Sequence, residues 1–143
     1  MNCRYMIAVL LAGVLFVVLS GCNGSTQATN PTVTFTSPVG NQNGAITNTP
    51  TVTAGQILNI QGTVALGTTD PAGDAIKDSI ASESWTQSGM MLGTFSFLNT
   101  INTTWQAPAW IGPGNENVVL TFTVTTVLGG KTVQNLNITV TPA

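Results

Sequence analysis

Leu120-Thr121-Phe122-Thr123-Val124-Thr125 decides how this chain folds. Apolar and hydroxyl side chains alternate one for one, the two-residue period of a strand with one face buried and the other in water. The pattern recurs on both sides of this stretch. Leu136, Ile138 and Val140 repeat it after a turn at Gly129-Gly130, and Val33 and Phe35 alternate with threonines near the start. Leu58, Ile60, Gly62 and Val64 share one face of another strand, opposite Asn59, Gln61 and Thr63. No window long enough for a stable helix carries a 3.6-residue period. Strands with a single apolar face need a second sheet to cover it, so an all-β antiparallel β-sandwich of about seven strands is expected. Val133 is out of phase with Leu136, Ile138 and Val140, which predicts a bulge or a change of partner near Gln134.

Composition narrows what such a sandwich can do. The chain has 143 residues, of which 6% are charged, against about 25% in an average globular protein. Its polar surface must be built from Thr, Asn, Ser, Gln and Gly. From residue 22 onward, Asp70, Asp74, Asp78, Glu83 and Glu116 face only Lys77 and Lys131, a net charge of −3. Nothing basic is concentrated enough to hold a phosphate backbone, so nucleic acid is not an expected partner. The chain has no His, and its two cysteines are Cys3 and Cys22. A structural disulfide is therefore not expected within the folded part, and neither is a cofactor.

The first residues read as an address. Arg4 provides a short basic region and Met6 to Leu19 an apolar run, too short to cross a bilayer but suited to the core of a signal peptide. Leu19-Ser20-Gly21-Cys22 follows and resembles the lipobox of bacterial lipoproteins. That resemblance implies cleavage before Cys22 and acylation of its thiol, with the mature chain lipid-anchored to a cell membrane. Two or three acyl chains make a stable anchor, since each buried CH₂ contributes about 0.8 kcal/mol. Asn23, rather than Asp, after the cysteine points to the outer membrane or cell surface of a bacterium under enterobacteria-like sorting. The expected division is a signal peptide over 1–21, a lipidated flexible tether over 22–31 and one sandwich domain over 32–143.

Within that domain, Ala54-Gly55, Gly62, Asp70-Pro71-Ala72-Gly73-Asp74, Trp85-Thr86-Gln87 and Trp105-Gln106-Ala107-Pro108 follow one another in order. Then come Leu120-Thr121-Phe122-Thr123-Val124, Gly129-Gly130 and Ile138-Thr139-Val140. This succession resembles the PKD-type immunoglobulin-like modules of bacterial surface proteins. It departs from them in a longer stretch between Asp74 and Trp85, in Met90, and in Thr126 where Asp is common. The resemblance implies an immunoglobulin-like fold and a role in binding or spacing rather than catalysis.

Each candidate residue has a structural and a functional reading. Trp85 takes the place of the central core Trp of an immunoglobulin-like sandwich, and its neighbours Glu83 and Gln87 are read as alternating with it. Trp105 is expected to pack before the Ala107-Pro108 corner. Trp110-Ile111, between Pro108 and Gly112-Pro113-Gly114, falls in a loop near one end of the sandwich. An exposed Trp there would be a protein hot spot or a carbohydrate platform, and this pair is the binding candidate. Asp70 and Asp74, with Asp78, are oxygen ligands of the kind Ca²⁺ takes. Asp-Pro-x-Gly is also an ordinary turn former, so a metal site is not expected. Met90-Met91-Leu92 reads as core or as a sticky edge. Without His, without a Cys beyond residue 22 and without a Gly-x-Ser-x-Gly elbow, no catalytic residue is nominated. Three functions follow: a protein-binding or spacer lipoprotein, a carbohydrate-binding one, or a lipoprotein subunit of a pilus, filament or secretion assembly. The second requires an exposed aromatic platform, and the third an apolar patch or an unpaired strand edge.

Overall fold

The computed structural model describes residues 29–37, 41–42, 45–46, 49–67 and 78–143. The expected signal peptide, Cys22 and most of the expected tether lie outside the described residues, as do Asp70, Asp74 and Lys77. Ten strands follow in order: β1 (Thr32–Ser37), β2 (Asn41–Gln42), β3 (Ala45–Ile46), β4 (Thr51–Thr53), β5 (Ile57–Ala65), β6 (Ile80–Ser88), β7 (Thr94–Phe95), β8 (Thr103–Gln106), β9 (Glu116–Thr126) and β10 (Lys131–Thr141). Among the described residues there is no helix.

Eight of these strands form two four-stranded sheets, ordered β1-β5-β8-β7 and β4-β10-β9-β6, while β2 and β3 make a separate small hairpin. The first order matches the A-B-E-D sheet of an immunoglobulin domain, and β6, β9 and β10 match its C, F and G strands. The protein is an immunoglobulin-like β-sandwich. β4 is the exception to antiparallel pairing: it runs parallel to the end of β10, with Thr51 to Thr53 beside Thr139 to Thr141. The opening part of the chain is thereby shared between the sheets, β1 on one and β4 on the other.

Alternation places the core where the sequence pattern put it. Val118, Leu120, Phe122 and Val124 of β9 and Leu136, Ile138 and Val140 of β10 are buried, and the residues between them are not. Val33, Phe35, Leu58, Ile60 and Trp105 cover them from the other sheet. At the centre Trp85 stacks on Phe35 at 5.6 Å between ring centroids, lies 5.0 Å from Phe122 and stacks on Phe95 at 5.5 Å. Such pairs contribute about 0.5–1.5 kcal/mol each beyond area burial.

Two expectations are corrected. No bulge interrupts β10 near Gln134: its pairing with β9 runs unbroken from Lys131 opposite Thr125 to Val140 opposite Glu116. Val133 lies on the outer face, half exposed, and needs no irregularity to explain it. The irregularities fall elsewhere, between Phe35 and Ser37 in β1 and between Ile80 and Ser82 in β6. Trp85 is buried as expected, but Glu83 and Gln87 do not alternate with it. Residues two apart share a face, so all three point toward the core side and the exposed Ser84 and Thr86 alternate with them.

Candidate functional site

Trp110 stands in the connection from β8 to β9, at the pole of the sandwich away from the β9–β10 turn. The backbone before it is strapped down. Ala107 donates its N–H to Gln56 O at 2.9 Å, and Pro108 O accepts Gly55 N–H at 2.9 Å, tying the corner to the β4–β5 turn. Gly55 holds φ at +80°, a left-handed value that a side chain would strain. Beyond the corner the chain turns outward. Ala107 is buried, Ile111 is half buried against the core, and Trp110 is 71% exposed.

The Trp110 ring overhangs Gly112 and borders an open pocket of about 410 Å³. Its lining is Ala54, Ala109, Trp110, Ile111, Gly112, Pro113, Pro142 and Ala143. The indole N–H is the one hydrogen-bonding side-chain group among these residues, and the other polar groups at the pocket belong to the backbone. A surface of this kind gains by shedding water from aliphatic and proline side chains, and it offers little to a hydroxylated ligand.

The other two indoles are structural. Trp85 Nε1 donates to Thr100 O at 2.8 Å, and Trp105 Nε1 donates to Gln87 Oε1 at 2.9 Å. Gln87 also receives Gly93 N–H at 3.1 Å and donates to Gly93 O at 2.8 Å. It is a half-buried polar clamp that the sequence pattern assigned no part to; its place two residues from Trp85 on one strand is the signal that marks its inward side.

Two of the described carboxylates serve the fold. Glu116 is buried and its Oε1 accepts Met91 N–H. Asp78 Oδ1 accepts Ser79 N–H at 2.9 Å and Leu128 N–H at 3.1 Å. The Thr126 hydroxyl above all, then the Leu128 and Ser79 amides, hold the Asp78 carboxyl below its ordinary range against a partial desolvation. Among the described residues no three His, Cys, Asp or Glu side chains gather as metal ligands, and no helix is long and apolar enough to cross a membrane.

Met90-Met91-Leu92 is not core. Met90 is 92% exposed, and Leu92, Phe97 and Leu98 are each more than half exposed along the same β6–β8 connection.

No protein-family model matches the sequence, and no curated protein matches it significantly. Among solved structures, the chain is similar to a nucleoside hydrolase-related hypothetical protein from Saccharophagus degradans that is associated with carbohydrate metabolism. The two share 17% identity at a TM-score of 0.44, over 81% of this chain and 26% of that one. This chain thus spans about a quarter of that protein's length, and so partial a likeness says nothing of what the chain does.

Proposed function

We propose that the chain is a non-enzymatic lipoprotein of the PKD-type immunoglobulin-like class, anchored through an acylated Cys22 at the outer membrane or cell surface. In this reading its sandwich captures a protein partner at Trp110 and Ile111. The observation that carries the binding site is the contrast among the indoles. Two are buried with their N–H groups satisfied, while Trp110 lies 71% exposed beside an apolar pocket. An isolated domain gains nothing by holding that ring in water, whereas aromatic anchors beside apolar pockets dominate the energetics of protein interfaces. A glycan is the less favoured ligand, because sugar platforms pair stacking with hydrogen-bonding side chains and the only such side chain in the lining is the indole itself. The anchor rests on the order of Arg4, the apolar run and Leu19-Ser20-Gly21-Cys22.

A photo-crosslinking residue placed at position 110 in the native host should yield a discrete protein adduct. The same residue at Val133, on the outer face of β10, should not. Trp110→Ala should abolish capture by the purified partner while leaving the melting curve in place. An adduct to polysaccharide, or capture that survives Trp110→Ala, would overturn this assignment. A second reading, a subunit of a pilus, filament or secretion assembly, draws on the exposed apolar side chains of the β6–β8 connection.

A further inference from the structure

From Ser84 to Asn115 the chain carries no charged residue. Much of that run closes the side of the sandwich between the edge strands β6 and β7, where Met90 is 92%, Phe97 61%, Leu98 56%, Leu92 54% and Met91 38% exposed. Five large apolar side chains within nine residues, with no charge among them, form a surface rather than scattered single exposures.

Several backbone groups beneath them are bonded from the inside. Met91 N–H goes to Glu116, Gly93 bonds both ways with the Gln87 amide, and Ser96 N–H goes to Thr104 O. Phe97 N–H and C=O both meet the Thr103 hydroxyl, Leu98 O takes Trp85 N–H, and Thr100 O takes the Trp85 indole. Two consequences follow. The segment seals β6 at Trp85, so that edge does not invite a further strand there. The side chains of Met90, Leu92, Phe97 and Leu98 also face outward from a segment tied to the sandwich from within.

The position of the chain's start supplies the occupant. Thr29 lies against Gly130, so the tether meets the sandwich at the β9–β10 turn. Cys22 is seven residues earlier, a reach of at most about 25 Å. Trp85, beside Leu98, stands opposite Phe122, four residues from the end of β9, or about 14 Å along the strand. A domain on that leash can lie on this side. The chain from residue 22 onward is net negative and is repelled by anionic headgroups, and no charged residue falls within Met90–Leu98 to add to that repulsion.

We propose that the Met90–Leu98 side is a lipid-docking surface, which rests the anchored domain on its own bilayer with Met90, Leu92, Phe97 and Leu98 in the headgroup–acyl boundary. This rests on the lipid anchor at Cys22. It leaves the Trp110 pocket open, since that pocket adjoins Ala54 and Pro142 on the β4 side, across the sheet from β6.

The test uses the acylated protein, purified from membranes and reconstituted in vesicles of phosphatidylcholine and phosphatidylglycerol. An environment-sensitive fluorophore is attached to single cysteines at Met90, Phe97 or, as a control, the exposed Thr53 of β4. Labels at 90 and 97 should shift to the blue on reconstitution and be quenched by lipids brominated in the acyl chain, with no change at 53. If the protein sediments with vesicles but labels 90 and 97 stay water-like, the docking surface is refuted and the anchor stands. A blue shift that grows with protein concentration and needs no vesicles would assign the surface to a second copy instead. Failure of the acylated protein to associate with vesicles would overturn the anchor, and the docking with it.

Discussion

Trp85 touches Phe35, Phe95 and Phe122 at once, so its removal opens the centre of the molecule. Trp85→Ala should cost about 3–5 kcal/mol in a urea melt, whereas Trp110→Ala should stay within roughly 0.5 kcal/mol of the parent. Acrylamide should quench the Trp110 emission and spare the other two indoles. Gln87→Ala strands the fully buried Trp105 indole N–H and the Gly93 amide, an expected loss of about 1–3 kcal/mol. The sequence marked Trp85 as core from the place it shares with the central Trp of an immunoglobulin-like sandwich and Trp105 from its position before the Ala107-Pro108 corner, but Gln87 was not legible as a clamp. A glutamine on an inward phase reads as a misfit until the indole and the loop it bonds have been brought to it by folding. Asp78 adds a pH dependence. Its carboxyl titrates below the ordinary value, so its contribution is whole above about pH 4 and is lost as pH falls through the lowered value. Stability should be flat between pH 6 and 8, because the chain has no His. Asp78→Asn should shrink the loss seen on acidification to pH 2–3.

At the scale of elements, β5, β9 and β10 were readable because each combines length with strict alternation. The short strands β4 and β7 hold three and two residues, too few to show a period, and only their partners make them strands. The β2–β3 hairpin brackets Asn43-Gly44, a dipeptide favoured in tight hairpin turns, so a signal for it stood in the sequence. Val133 misled for a physical reason: a half-exposed valine on an outer face is tolerated wherever its neighbours are small or polar, so an out-of-phase apolar residue need not mark a bulge. Close approach of backbones sets another limit. A Cβ on Gly93 would come within 2.2 Å of Gln106 O, and one on Gly62 within 2.7 Å of Thr34 O. Gly93→Ala should detach β7 from β8 and expose Trp105, measurable as new acrylamide quenching and faster amide exchange over 94–106. Gly62→Ala should instead loosen β1 from β5.

For the whole molecule, packing of the two inner faces is the main source of stability. Residues 29–143 should melt cooperatively at a temperature that ignores reductant, and a fall of several degrees in EDTA would return Ca²⁺ to Asp70 and Asp74, which lie outside the described residues. Cys22→Ser should release the protein from the detergent phase or leave it unprocessed; continued incorporation of labelled fatty acid would refute the anchor. The placement of the Trp110 site was legible only as a loop between prolines and glycines, since its pocket is completed by Ala54 and Pro142, far apart in the chain and joined by the β4–β10 pairing. That pairing also has a mechanical side. Thr29 sits at one pole and Ala143 at the other, and β4 runs alongside β10 in the same direction. If the start of the chain is held by the proposed anchor, a load carried at the far pole would pull these two strands past each other, so their hydrogen bonds would bear the force side by side and fail together. A module stretched in that direction yields abruptly at high force, whereas one opened strand by strand unzips at low force, and single-molecule pulling through residues 29 and 143 would read the difference.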